Sequence, residues 1–169
     1  MAVDRHEIEE HIPRLRRYAR ALVRDPGAAD DLVQDCLERA LSRWHLWRRQ
    51  GDLRAWLFTI MHNIHANQSR RRARRPDGQS VEDLAHEPAG SGDQGERLAV
   101  LDLQSALQAL PEEQRAVVLL VAVEGLSYAE VARVAGMPIG TVMSRLSRGR
   151  ERLRQLTDGG GKPNIRRVL

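Results

Sequence analysis

Cysteine, lysine and aromatic residues are scarce in this chain. The single cysteine, Cys36, excludes an internal disulfide framework and fits a reducing compartment. Aromatic side chains make up 4% of the 169 residues, and no long alternating β-branched run is present, which argues against a sandwich or barrel. No apolar run reaches bilayer-spanning length and no signal-peptide core opens the chain, so a cytoplasmic protein without membrane insertion is expected. A nucleophile elbow, a dinucleotide glycine fingerprint and a paired-carboxylate motif are all missing, so neither catalysis nor a cofactor is expected. GGGKP near the end is no phosphate loop, because Pro163 stands where Ser or Thr is needed. Of the six histidines only His62 and His65 share a helical neighbourhood, with no third ligand at a suitable spacing, so no metal site is expected.

What is abundant is arginine. The formal charge is +4 with a pI near 10.1, and arginines cluster at Arg14 to Arg24, Arg70 to Arg75 and Arg145 to Arg154. Such clustering suits an anionic partner, nucleic acid first, although a GC-rich genome biases composition the same way. Hydrophobic residues, at 41%, suffice for compact helical cores.

The periodicity predicts an all-α protein. Met1 to His11 suits a short helix, and Pro13 can open a second that runs to about Val23. Asp25-Pro26-Gly27 is a turn, after which Leu32, Val33, Cys36, Leu37, Ala40 and Leu41 give a helix from about Ala28 to Trp44 one buried side. Its other side carries Asp31, Gln34, Asp35 and Arg39. A loop with Trp47, Arg48 and Arg49 leads to a helix from about Asp52 whose apolar face is Leu53, Trp56, Leu57, Ile60, Met61 and Ile64. Opposite lie Arg54, Thr59, His62, Asn63, Asn67 and Gln68, rich in hydrogen-bonding groups. Arginines, polar groups and tryptophans together suit single-stranded nucleic acid, while Trp44 and Trp56 fit core packing better than base stacking.

Residues 76–95 change composition to Gly, Pro, Ser, Asp and Glu and read as a flexible linker. They divide a helical unit at 1–75 from a second at 96–156, with a flexible tail at 157–169. In the second unit LAVLDLQSALQAL is one amphipathic helix, Pro111 starts another that Gly125 stops, and Leu126 to Leu156 reads as a helix-turn-helix. Ser127 caps its first helix, where Val131, Ala132 and Ala135 recur, and Gly136 makes the turn. Val142, Leu146, Gly149, Leu153 and Leu156 form the buried stripe of the second. Thr141, Ser144, Arg145, Ser147 and Arg148 are then available to a DNA major groove, the alternative being a solvated arginine face on an ordinary helical hairpin.

Three stretches resemble one family, the bacterial extracytoplasmic-function (ECF) sigma factors. DDLVQDCLERAL resembles their polymerase-clamp segment, LRAWLFTIMHNIHANQSRRRARR their promoter-melting helix, and ALPEEQRAVVLLVAVEGLSYAEVARVAGMPIGTVMSRLSRGRERL their C-terminal helix-turn-helix domain. The resemblance implies that residues 1–75 bind the polymerase clamp and melt the minus-10 element, and that residues 96–156 read the minus-35 element. It assigns Asp31, Gln34, Asp35 and Arg39 to the β-prime clamp of core RNA polymerase. Unpaired minus-10 bases fall to Trp47, Arg48, Arg49, His62, Asn63 and Asn67, with Arg70, Arg71 and Arg72 on nearby phosphates. Thr141, Ser144, Arg145, Ser147 and Arg148 fall to the minus-35 element. The implied partners are core polymerase, through its β-prime clamp and β flap, promoter DNA and an anti-sigma protein. Met143 stands where many relatives carry Arg or Lys, and Ser147 is smaller than is common there. A sigma-like decoy and an autonomous helix-turn-helix repressor remain open alternatives on sequence alone.

Overall fold

Local chemistry sets the helix boundaries in the computed structural model, which describes residues 5–47, 51–74 and 94–158. After α1 (Arg5–Glu9), α2 (Ile12–Leu22) carries Pro13 in its first turn, where a missing N–H costs nothing. Helix α3 (Pro26–Ser42) begins two residues before the sequence expectation because Pro26 serves as its first residue and Asp25 caps it, Oδ2 accepting from the Ala28 amide at 2.7 Å. A 3-10 turn, Trp44–Leu46, follows. Asp52 caps α4 (Leu53–Ala73) through a 2.9 Å bond from the Arg54 amide.

The later helices are α5 (Gln94–Gln108), α6 (Glu112–Ala122), α7 (Tyr128–Ala135) and α8 (Ile139–Asp158). Ser127 and Glu130 form a reciprocal capping box on α7, and Gly136, at φ +61°, closes it in the left-handed conformation that glycine alone adopts without strain. No strand occurs among the described residues. Most of the expected linker lies outside them, but α5 starts at Gln94, inside its last two positions. Of the expected tail, Thr157 and Asp158 belong to α8 and the rest lies outside the described residues.

Two of the predicted core positions are corrected. Leu41 is 44% exposed. It lies five residues beyond Cys36, about 140° around the helix, so it leaves the buried stripe that ends at Ala40. Leu156 is likewise 44% exposed, and Thr157 is buried in its stead. The Thr157 hydroxyl donates to the Leu153 carbonyl at 2.9 Å, which lets a polar side chain sit inside. In α7 the fully buried pair is Val131 and Val134, with Ala132 and Ala135 only half-buried.

The core is continuous across both halves of the chain. Tyr18 meets Phe58 edge-on at 5.2 Å among Leu15, Leu22, Leu32, Leu57 and Met61, and this cluster runs on into Leu119, Leu120, Val131, Val142 and Leu146. Helix α2 packs on α3, α5 and α6, while α4 packs on α3 and α7. Gly149 brings α8 against α6: a Cβ there would stand 2.7 Å from Val118 Cγ2. The halves therefore meet over a shared apolar surface, not through the covalent chain alone.

Polar groups fix the register of that meeting. Arg115 on α6 donates to four backbone carbonyls: Leu107 at 2.8 Å, Gln108 at 2.9 Å, Leu110 at 2.9 Å and Leu22 at 2.7 Å. Gln108 donates to the Ala21 carbonyl at 3.0 Å. Leu107 and Gln108 belong to the last turn of α5 and Ala21 and Leu22 to that of α2, whose final carbonyls have no partner within their own helices, while Leu110 lies just past α5. At the other end of α6, the Glu124 side chain is wholly buried and its Oε1 accepts from Arg17 Nε and Nη2 at 3.3 and 3.1 Å. Arg54 donates to the Glu124 backbone carbonyl at 3.1 Å.

Removal of the Arg115 donors would strand several carbonyls at once. Arg115→Ala is expected to cost about 2–4 kcal/mol of stability, read from the urea unfolding midpoint at constant slope. A loss below about 0.5 kcal/mol would show that the carbonyls find other partners.

Candidate nucleic-acid interface

Three exposed polar strips emerge from this packing; the first holds all of one sequence-assigned group, and the other two hold only part of theirs. On α3, Asp31, Gln34, Asp35 and Arg39 are all exposed, opposite Leu32, Val33 and Cys36. Gln34 donates to Glu38 at 3.0 Å, and Gln68 of α4 donates to Asp35 Oδ2 at 3.4 Å, so the strip is ordered by bonds within and between helices. Cys36 itself is core. Burial pushes its thiol up to about 12, and Sγ lies 3.5 Å from the Leu57 carbonyl it faces, which leaves it an inert small hydrophobe.

Helix α4 splits its polar residues between two surroundings. Asn63, Asn67, Arg70, Arg71 and Arg72 are exposed, and Arg70 Nη2 donates to Asn67 Oδ1 at 2.8 Å. Asn67, Arg70, Arg71 and Arg74 line an open cleft of about 390 Å³, a basic surface that can take phosphate while the asparagines offer both donors and acceptors to base edges. His62 is placed differently: it is half-buried toward the second half of the chain, its Nδ1 buried without a partner. Burial first, and His65 beside it, hold its pKa below the ordinary histidine value, so its neutral form is favoured. Trp47 packs on Trp56 with ring centroids 5.4 Å apart, and Trp56 meets Trp44 at 6.3 Å, so the three tryptophans brace one another. Arg48 and Arg49 lie outside the described residues.

The third strip is on α8. Ser144, Ser147 and Arg148 are exposed, opposite the buried Val142, Leu146, Gly149 and Leu153. The Ser144 hydroxyl donates to the Thr141 carbonyl at 3.1 Å, and Thr141 is half-buried. Arg145 is turned away and tied to Glu113 Oε2 at 2.7 Å, so it steadies α8 on α6 in this arrangement. Gly140 also lies on the exposed side. A Cβ there would meet nothing within 4 Å, so the cost of about 1 kcal/mol that glycine brings to a helix is not explained by anything inside the chain.

Several residues that organise this surface were not singled out by the sequence. His65 is buried on α4, with Nε2 2.5 Å from Glu112 Oε1, and Ser69 donates to the same carboxyl oxygen. Arg17, Arg115 and Glu124 are the others. A signal for Glu124 exists: an acid at the C-terminal end of a helix opposes the dipole and needs a cationic partner.

Comparison with known proteins agrees with this geometry. Residues 8–62 match the family model described as the Sigma2 domain of PhyR, and residues 101–153 match Sigma-70, region 4. The chain is 36% identical to the ECF RNA polymerase sigma factor EcfG of Rhodopseudomonas palustris, over 98% of this chain and 94% of that protein. SigE of Mycolicibacterium smegmatis is also 36% identical, over 87% of this chain and 58% of the relative. Among solved structures, the sigma factor RpoE in complex with the anti-sigma factor NepR from Bartonella quintana superimposes with TM-score 0.80 at 36% identity, covering 91% of this chain and 96% of that one. CnrH in complex with the cytosolic domain of CnrY follows at TM-score 0.67 and 27% identity, covering 92% and 88%. Fold and ordered strips thus define a two-part, all-helical transcription initiation factor. The chain belongs to the ECF family of RNA polymerase sigma factors.

Glu112, which faces His65 at the joint, titrates well below the usual carboxylate range. The His65 imidazole first, then the Ser69 hydroxyl, hold the Glu112 carboxyl at about 2 against an ordinary 4.5, while partial burial pulls the other way. A folded-state value below the unfolded one adds stability that is complete above about pH 4.5 and is lost as pH falls through about 2. Glu112 is 43% exposed, so solvent screening leaves about 1 kcal/mol of that contribution. Between pH 5 and 2.5 the wild type is expected to lose that much more stability than Glu112→Gln, measured by urea unfolding. Parallel profiles would contradict the assignment.

Proposed function

We propose that this sigma factor binds core RNA polymerase through α3, captures and opens the minus-10 element with α4, and reads the minus-35 element with α8. The observation that carries the reading is the ordered exposure of three chemically distinct strips. Asp31, Gln34, Asp35 and Arg39 offer mixed charge to the β-prime clamp; Asn63, Asn67 and the arginines after them offer base-edge groups beside phosphate-binding cations; Ser144, Ser147 and Arg148 fit a major groove. The second half would meet the β flap. An anti-sigma protein is the natural regulator, since the similar sigma factor RpoE is solved in complex with the anti-sigma factor NepR.

The packed arrangement must open for both DNA elements to be held at once. Helix α7 lies on α4 and α8 lies on α7, so the two DNA-facing helices are at most two helix spacings apart, about 20 Å. Elements centred near minus 10 and minus 35 are some 25 base pairs apart, about 85 Å along straight duplex at ~3.4 Å per step. Engagement of polymerase and promoter would then replace the contacts of Arg17, Arg54 and Arg115 with contacts to larger partners. Each half binds the promoter weakly alone, and their covalent connection raises the effective concentration of the second contact.

A split between binding and opening tests the role of α4. Asn63→Ala is expected to leave closed-complex formation with core polymerase nearly intact while slowing promoter opening about tenfold, followed by a fluorescent base analogue in the minus-10 element. Equal loss of both steps would refute a single-strand role for Asn63.

A further inference from the structure

The exposed side of α8 is not purely polar. Met143 is 52% exposed and Ile139 is 49% exposed, although both sit beside a well-formed apolar core. Four residues apart, they share one side of the helix, and Ser147 continues that line one turn further on. Ser144 adjoins Met143, and Arg148 and Arg152 bound the far side of the same exposed surface. An apolar edge set against exposed arginines suits an anionic partner that itself carries apolar groups at fixed positions. Duplex DNA meets that description in the major groove, where the thymine 5-methyl is the apolar group on the base edges.

We propose that Met143, with Ile139 one turn before it, specifies thymine in the upstream promoter element by packing on its 5-methyl group. The inference rests on α8 being the minus-35 reader, and it adds the base that one side chain selects. Three features agree. Arg145 is committed to Glu113, so one cation fewer competes for the bases beneath Met143. Gly140, between Ile139 and Met143, has open space where a Cβ would stand, which lets the first turn of α8 descend close to the DNA. The Met143 side chain is unbranched and adaptable, so it can follow a methyl group without a fixed hydrogen-bond geometry. A long cation at the same position would seek guanine or phosphate instead, so methionine changes the kind of base read and not merely its strength.

Deoxyuridine supplies the test, because it pairs as thymidine does and differs only by the missing methyl group. The full chain with core polymerase is used to select a minus-35 sequence from a randomised library, and each thymine of the selected duplex is then replaced singly by deoxyuridine. At one position at least, the replacement is expected to weaken wild-type binding about fourfold, the exchange factor of one buried methyl group. Met143→Ala should bind the thymine and deoxyuridine duplexes equally at that position and keep the wild-type melting temperature, since the side chain is exposed. A thymine-to-deoxyuridine ratio of one throughout for the wild type, or an unchanged ratio in Met143→Ala, would overturn the proposal. Failure to enrich any minus-35 sequence would instead overturn the reading of α8 on which it rests.

Discussion

The Arg115 guanidinium is the constraint on which the arrangement of helices depends. A guanidinium presents its donors in a rigid plane, so four carbonyl acceptors can be met only if the ends of α2 and α5 converge on one point of α6. Three of the acceptors are carbonyls of final helical turns, which need outside partners in any case, and the fourth, Leu110, lies just past α5. One side chain therefore caps two helices and positions one half of the molecule against the other. Burial lowers the Arg115 pKa, yet the group stays charged, because arginine is not deprotonated in proteins.

The opposite end of α6 is built differently. Glu124 is fully buried, with one carboxyl oxygen bonded to Arg17 and the other without a partner, beside a Tyr18 hydroxyl in the same condition. A buried carboxylate that is only partly satisfied retains much of its desolvation cost. The joint between the halves thus combines a strong polar anchor and a shared apolar surface with one expensive charge. Such a contact is specific in register but limited in net stability, which suits the proposal that the two halves act on separate DNA elements.

Much of the helical layout was legible in the sequence because it is written in local chemistry. Ser127 caps α7 as its position suggests, and Gly125 and Gly136 take the positive φ that ends a helix, while Asp25, read as part of a turn, proves to cap α3. The exposed strips of α3 and α8 follow from periodicity alone. Leu41 and Leu156 failed because a stripe read by eye widens toward a helix end, where no neighbour enforces it. His62 and Arg145 were placed on the correct helices, but their surroundings depend on how α4 and α8 meet α6 and α7, and one helix's pattern carries no information about that. Arg115 was missed for a similar reason: a charge in an apolar stretch signals a partner, yet backbone carbonyls brought from distant helices have no signature in sequence.

These contacts explain how a small all-helical chain can carry the three exposed strips proposed as recognition surfaces. Each surface lies opposite a buried stripe, so the packing that orders the core also orders the strips. The central claim is that they act together in directing polymerase. Run-off transcription with purified core RNA polymerase, on promoter templates mapped by transcription starts after overexpression of this chain, tests that claim most directly. The account predicts discrete transcripts that require both the chain and an intact minus-35 and minus-10 pair. Absence of polymerase binding together with absence of any promoter-dependent transcript would contradict it.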